Sequence, residues 1–336
     1  MPAEFLHPAR LPWRAAAAGL PAAGGLADRA LGAYLGLAIG DALGATVEFM
    51  TRREIAAAFA DDDGVHRHIV GGGWLKLKAG QVTDDTTMCL ALGEGLLQGA
   101  SLGRPFDTAL VAESFAAWLR AKPVDCGATC RRGIRRYLQE GSLAGPVSEG
   151  DAGNGAAMRN LPAVLATLDD EEAFVRVSLA QSHITHHNPV SDAAVLGLGR
   201  LTRALLAGAD PAAVAAAIDA MVAATPQFRF SPYPGRASAW VVDTVQTVLH
   251  CFTAGADFAA AVTLAVNQGD DADTTGALVG MLAGARCGAR ALPRQWLSSL
   301  DPEIVRAIVS QGEALLAMSS ASGRRAPAAA RTFTDS

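Results

Sequence analysis

Two acidic stretches carry the residue types and spacing best suited to chemistry. The first is Gly80-Gln81-Val82-Thr83-Asp84-Asp85-Thr86-Thr87-Met88. The second, near the far end of the chain, is Asn267-Gln268-Gly269-Asp270-Asp271-Ala272-Asp273-Thr274-Thr275-Gly276. Each sets adjacent or near-adjacent carboxylates beside threonine hydroxyls where an apolar helical run begins. Met88 to Leu92 follows the first and Ala277 to Ala283 the second. Thr and Asp answer unpaired N–H groups and the positive end of a helix dipole, so either cluster alone reads as a well-capped helix. Two clusters, each with more carboxylate than a cap requires, point further. Brought together they offer hard, negative oxygen donors without sulfur or imidazole, which suits Mg²⁺ or Mn²⁺ rather than zinc. The expectation is a two-metal site.

Four further stretches could serve such a site. Gly150-Asp151-Ala152-Gly153-Asn154-Gly155 opens a predicted helix. It reads either as a flexible turn or as a phosphate-binding loop of exposed N–H groups. It lacks the Gly-Lys-Ser/Thr ending of a Walker loop. Asp125, in Lys122 to Gly127, reads as a cap or as a catalytic carboxylate. It precedes a helix with Arg131, Arg132, Arg135 and Arg136 on one side and Cys130, Ile134, Tyr137 and Leu138 on the other. Those arginines read as a solvated face or as a docking patch for an acidic partner. His183, His186 and His187 crowd into Ser182 to Pro189, at a spacing that is not that of a zinc helix. Tyr233 lies in the aromatic loop Phe228 to Gly235, a stacking platform for a base or a wedge onto the core. Nucleophilic catalysis has little support: there is no Gly-x-Ser-x-Gly elbow, and no cysteine has an evident base partner.

The elements that must position these residues are helices. The chain has 336 residues, 50% hydrophobic and 18% charged, enough apolar material for a substantial core. Ala and Leu abound and β-branched alternation is scarce. Helices are predicted over 28–45, 86–98, 107–121, 127–140, 155–167, 171–182, 190–207, 211–224, 237–253, 257–266, 275–289 and 302–317. One extended patch is predicted over 66–77. Gly32, Gly36, Gly40 and Gly44 recur on one face of the first helix and imply close helix packing. Asp41 flanks that stripe and Glu48 lies just past it, both able to point into a site. The predicted architecture is all-α, one compact domain over 27–318 with functional loops at helix ends. A loose extension, 1–26, and a tail, 319–336, flank it.

A net charge of -5 gives no global case for binding nucleic acid. The best apolar runs are interrupted by Asp41 or Arg286, so no membrane insertion is expected. Five scattered cysteines argue against a disulfide framework and for a reducing cytoplasm.

Several motifs, in order, resemble the ADP-ribosylglycohydrolases: GLAIGDALGATVE from Gly36, Thr83-Asp84-Asp85, GDAGNGAAMR from Gly150 and Asp271-x-Asp273-Thr274. GGGWLKLKAGQVTDDTTM, KPVDCGATCRRGIRRY, SHITHHNP and VDTVQTVLH resemble, within that family, the branch acting on the nitrogenase iron protein. The resemblance spans about Asp28 to Leu316. It implies an all-helical fold with a binuclear centre of Mn²⁺, or Mg²⁺, in a cleft. The implied reaction removes ADP-ribose from an arginine of ADP-ribosylated nitrogenase iron protein and so reactivates it. The alternative is another ADP-ribosylated protein or a small ADP-ribose conjugate. Carried over by position, the metal ligands would be Thr83, Asp84, Asp85, Asp271, Asp273 and Thr274. Glu48 would sit against the metal or the ribose, and Asp125 would be the acid/base. Asp151, Gly153, Asn154 and Gly155 would hold ribose and diphosphate, with His186 nearby and Tyr233 packing on adenine. A PII-type signalling partner and peripheral recruitment to the inner membrane through a partner are also implied. Two positions depart from the family pattern: Asp270 stands where glycine is common, and His187-Asn188 reverses an Asn-His order.

Overall fold

The computed structural model describes residues 21–323. Among them are fourteen α-helices. In chain order these are α1 (Leu26–Gly44), α2 (Arg52–Ala58), α3 (Asp84–Ser101), α4 (Thr108–Arg120), α5 (Ala128–Glu140), α6 (Leu161–Ala166) and α7 (Glu171–His183). There follow α8 (Pro189–Leu206), α9 (Pro211–Ala224), α10 (Val241–Ala254), α11 (Phe258–Val266), α12 (Ala272–Cys287), α13 (Arg294–Ser299) and α14 (Pro302–Gly323). No strand forms among the described residues, only the isolated bridges Thr51–Gly269, Gly72–Leu77 and Gly153–Trp240. The fold is all-α, as predicted. Residues 1–20 and 324–336, most of the predicted extension and tail, lie outside the described residues.

The core is built on α1 and α12, which form the most extensive helix pairing in the molecule. Both are buried almost all round, the property of a central helix rather than an amphipathic surface one. They run antiparallel, with Gly32 against Gly284, Gly36 against Gly280 and Gly40 against Gly276. A methyl group on Gly36 or Gly280 would land on the other's carbonyl, so the two backbones touch with no side chain between them. The pairing brings the C-terminal end of α1 to the first turn of α12. Helices α3, α8, α10, α11, α13 and α14 pack on this pair and the others lie outside them, and among the described residues no helix is long and apolar enough to cross a membrane.

Two predicted helix starts move inward for one reason. Residues 155–160 and 237–240 are not helical, because their flanking backbone groups pair with other segments. Asn154 N–H donates to Ala239 O (3.1 Å) and Val241 N–H to Ala152 O (3.0 Å). Asp271 N–H donates to Ala237 O (3.0 Å). The glycine-rich loop therefore folds onto the loop before α10 instead of leading directly into a helix. The predicted extended patch is a turn closed by Gly72 and Leu77, with Gly71, Gly72 and Gly73 all at positive φ.

Candidate active site

Six helices begin with an ordinary side-chain cap. Asp107, Asp170, Asn188, Asp210 and Asp257 each accept an N–H of the first turn, and Thr51 with Glu54 forms a capping box. At α3 and α12 the N-cap residues, Thr83 and Asp271, make no such bond. At α12 Asp273 Oδ1 accepts the first-turn N–H of Thr274 (2.9 Å), while at α3 Asp84 and Asp85 accept none. At α3 the capping is done from outside by Asp41 of α1. Its carboxylate accepts from Thr83 N–H (2.9 and 3.1 Å), Thr86 N–H (3.1 Å) and the Thr86 hydroxyl (2.6 Å). Asp84 and Asp85 are thereby left to face the second cluster.

The two clusters meet. The Thr83 hydroxyl lies 3.4 Å from both Asp85 Oδ2 and Asp273 Oδ2, and the Thr274 hydroxyl donates to Asp85 Oδ2 at 3.1 Å. Asp84 Oδ2 accepts from Gly127 N–H at 3.0 Å, which ties the start of α5 to the site. Glu48 joins from the turn after α1, where the backbone doubles back on the second cluster. Phe49 N–H donates to Asp270 O (2.7 Å) and Asp270 N–H to Met50 O (2.9 Å). Glu48, Asp271 and Asp273 can each direct one carboxylate oxygen so that the three lie within 4.8 Å of one another. Asp270, the departure from the family pattern, is at φ 57, a left-handed conformation that favours glycine.

Burial dominates the electrostatics. It lifts Asp84 to about 7, Asp271 and Asp41 to about 6, and Glu48 to about 8. Asp85 and Asp273 are held well above the usual carboxylate range, by burial first and then by their acidic neighbours. The Asp125 carboxylate contributes to the rise at both Asp84 and Glu48, which places its charge beside the cluster. Asp125 itself is half-buried and accepts from its neighbour's amide, Cys126 N–H, at 2.7 Å. So many crowded carboxylates are stable as anions only with a cation among them. Asp85 Oδ1 is buried with no hydrogen-bond partner, an acceptor without a donor. The oxygen-only donor set and that orphaned atom fit a divalent cation.

The glycine-rich loop forms the adjoining wall. The Asn154 amide donates to Asp271 Oδ2 and to the Thr244 hydroxyl, linking loop and cluster directly. A side chain at Gly155 would collide with His186 and Cys130, and one at Gly153 would press on His186. Asp151 is buried and paired with Arg132. Behind the loop, fully buried Arg159 donates to Gln181 Oε1 (2.8 Å), Gln181 O (3.0 Å) and the Thr185 hydroxyl (2.7 Å). Thr185 Oγ1 accepts that bond and lies at hydrogen-bond distance, 2.8 Å, from His186 Nδ1. His186 is buried against the glycine-rich loop. Burial, with Arg159 and Arg132 nearby, pushes its pKa well below the ordinary value, so the ring is neutral.

The predicted site residues thus divide. Thr83, Asp84, Asp85, Asp271, Asp273, Thr274 and Glu48 converge, with Asp125 at their edge. Asp151, Gly153, Asn154, Gly155 and His186 form one wall. Tyr233 stands apart, with its ring stacked on His250 (4.3 Å, 8°), Arg52 over it at 5.7 Å, and its hydroxyl on Thr247. The exposed ring on the glycine loop is Trp240, bridged to Gly153 and 47% accessible. Sequence reasoning gave no role to Arg159, Trp74 or Trp240. Arg159 stood inside a quoted motif, but nothing in its spacing distinguishes a buried strut from a surface cation.

Known proteins are similar to this chain over most of its length. Residues 23–325 match the family described as ADP-ribosylglycohydrolase. The ADP-ribosyl-[dinitrogen reductase] glycohydrolase of Rhodospirillum rubrum is 54% identical over 291 residues, 87% of this chain and 96% of that protein. An ADP-ribosylarginine hydrolase of Serratia proteamaculans is 32% identical over 288 residues, 81% of this chain and 75% of its own length. A solved "ADP-ribosylglycohydrolase-related protein complex" superposes with TM-score 0.75 at 34% identity, covering 87% of this chain and 98% of that one. With near-full-length identity, a shared helical fold and a converged acidic site, the chain belongs to the ADP-ribosylglycohydrolase family.

Proposed function

We propose that this chain is a divalent-metal-dependent hydrolase that removes ADP-ribose from an arginine of ADP-ribosylated dinitrogen reductase, the nitrogenase iron protein. The observation that carries the chemistry is the meeting of the two acidic turns, through Thr83 with Asp273 and Thr274 with Asp85, with Asp85 Oδ1 buried and unpartnered. The target rests on the 54% identity to a protein named for that substrate.

Thr83, Asp84, Asp85, Asp271, Asp273 and Thr274 would hold two cations, Mn²⁺ or Mg²⁺, with Glu48 against them. When bound, such ions orient ribose hydroxyls and lower the pKa of a water. The other roles belong to the chain. Asp125, at the cluster's edge and partly open to solvent, exchanges a proton with the attacking water. Cleavage of an N-glycosidic bond passes through an oxocarbenium-like state, so a carboxylate opposite the leaving group is well placed for that work. The departing guanidine is strongly basic and gains the proton that the water gives up through Asp125, so the water's OH ends on the ribose and its proton on the arginine. Gly153 and Gly155 let the loop backbone lie directly on neutral His186 because no Cβ intervenes, and the loop so seated would hold the sugar-diphosphate. Asn154 fixes Asp271, and Asp151, paired with Arg132, would anchor the sugar-side end of the loop. Trp240 is placed better than Tyr233 to carry the adenine, because its ring is open where Tyr233 is already stacked.

The test is ADP-ribose release from ADP-ribosylated dinitrogen reductase, in chelator and with Mn²⁺ restored, for wild type and Asp271→Ala. Release by wild type only with the ion, and near-complete loss in the variant, is expected. Full turnover after chelation, or a fully active variant, would sink the reading. A PII-type partner that recruits this cytoplasmic enzyme to the inner membrane extends the proposal through the resemblance. Co-sedimentation with vesicles carrying the partner checks it.

A further inference from the structure

A cavity of about 740 Å³ opens beside α5, lined by Arg131, Arg132, Arg135 and Arg136 together with Cys126 and Asp151. Four guanidinium groups face a single carboxylate among its described lining residues, in a chain whose net charge is -5. The arginines are not equivalent. Arg132 pairs with Asp151, and Arg136 donates to the backbone carbonyl of Ile184 at 2.7 Å. Arg131 makes one long bond to the carbonyl of Cys126 (3.3 Å), and Arg135 stands exposed at the surface. One guanidinium is neutralised, and the other three keep their charge.

We propose that this pocket seats an acidic segment of the modified protein and so delivers its ADP-ribosylated side chain to the carboxylate cluster. The inference rests on the function proposed above. Three observations select a protein segment over a small ligand. Arg131, Arg132 and Arg135 are exposed, as groups meeting a partner's surface are. Positions i, i+1, i+4 and i+5 string the charges along more than one helical turn, a strip rather than a point. The pocket also adjoins the site: Cys126 and Ala128 flank Gly127, whose N–H holds Asp84. A partner lying on α5 therefore has its side chains within reach of the cluster. Long-range attraction between such a strip and an acidic surface raises the encounter rate and confers partner choice.

The test compares two substrates, ADP-ribosylated dinitrogen reductase and free ADP-ribosyl-arginine, using Arg131→Glu/Arg135→Glu and Arg131→Gln/Arg135→Gln. Neither pair includes Arg132 or Arg136, whose bonds hold other parts in place. The charge reversal is expected to raise KM for the protein about ten-fold or more while leaving kcat and the small substrate within about two-fold. The neutral pair should give a smaller rise. Added NaCl should raise the wild-type KM for the protein and leave that of the reversed pair flat. Equal losses on both substrates would overturn the proposal and give the pocket to the diphosphate of ADP-ribose. No loss on either would overturn it outright. A labelled glutamate-rich peptide, followed by anisotropy, reads the pocket without any turnover. It should bind wild type and not the reversed pair, and equal binding to both counts against the pocket. Failure of wild type to release ADP-ribose from dinitrogen reductase would instead strike the function proposed above.

Discussion

The indole N–H of Trp74 donates to Glu48 Oε2 at 2.6 Å, while the ring, 52% exposed, leans on Phe49 at the surface. A surface side chain thus fixes a buried carboxylate of the candidate metal site. Trp74→Phe keeps the ring and removes the donor. A hydrogen bond to a charged acceptor is worth about 1.5–3 kcal/mol, and the half-open setting puts this one at the low end. Mn²⁺ affinity should fall about ten-fold, read by titration followed with electron paramagnetic resonance. An unchanged affinity would mean that Glu48 is held by something else.

The metal-dependent part of stability should grow with pH. Folded-state values of about 7 for Asp84 and about 8 for Glu48 lie above those of an unfolded chain. The native state then binds more protons between those limits, so metal-free stability falls as pH rises from about 4 to about 8. A bound cation reverses that cost. His66 works oppositely: burial lowers its pKa to about 4, so its contribution is lost as pH falls from its ordinary value through 4. The difference in Tm with and without Mn²⁺ isolates the cluster. It should be larger at about pH 8 than at about pH 5.5, and a flat difference would refute the linkage.

Asp41 is proposed as a positioning residue without contact to the cations. Its loss strands the N–H groups of Thr83 and Thr86 and the Thr86 hydroxyl in a buried setting. Asp41→Ala should cost about 2–4 kcal/mol in urea unfolding. The conservative Asp41→Asn should recover part of that stability and part of the Mn²⁺ affinity.

Gly280→Ala gives a change of sign to look for. In an exposed helix the substitution stabilises by about 0.5–1 kcal/mol. Here the methyl meets the carbonyl of Gly36, and overpacking of this kind costs about 1–3 kcal/mol or more. Thermal unfolding decides between the signs.

Helices were legible because they rest on local period and on an abundance of Ala and Leu, both visible in a few neighbouring letters. The all-α class and the facing glycines on α1 followed from the same kind of reading. The short helices α2 and α13 lie outside the predicted set, being too brief to show a period, and the rest of what was not legible depends on pairing across the chain. The starts of α6 and α10 shift because Asn154, Ala239, Ala152 and Val241 bond to one another, and no local signal encodes that. The site divides the same way. Its acidic residues announce themselves by excess charge. Asp41 could be read as pointing inward, yet its service as a cap for another helix depends on a contact spanning 42 positions. Arg159 and Trp74 act through equally remote partners, and Tyr233 and Trp240 differ only in what covers their rings.

The contact between α1 and α12 leaves no compressible layer between two rigid rods. Glu48, just beyond one rod, and Asp271, at the tip of the other, are therefore spaced by peptide geometry instead of by rotamers that could readjust. Widening or tightening the grip on a cation would require sliding one helix along the other, which the glycine carbonyls block. Adaptation to a different conjugate in this chain falls to the rim, at the exposed ring of Trp240, since Trp74 and Phe49 are tied to Glu48 and Asp270.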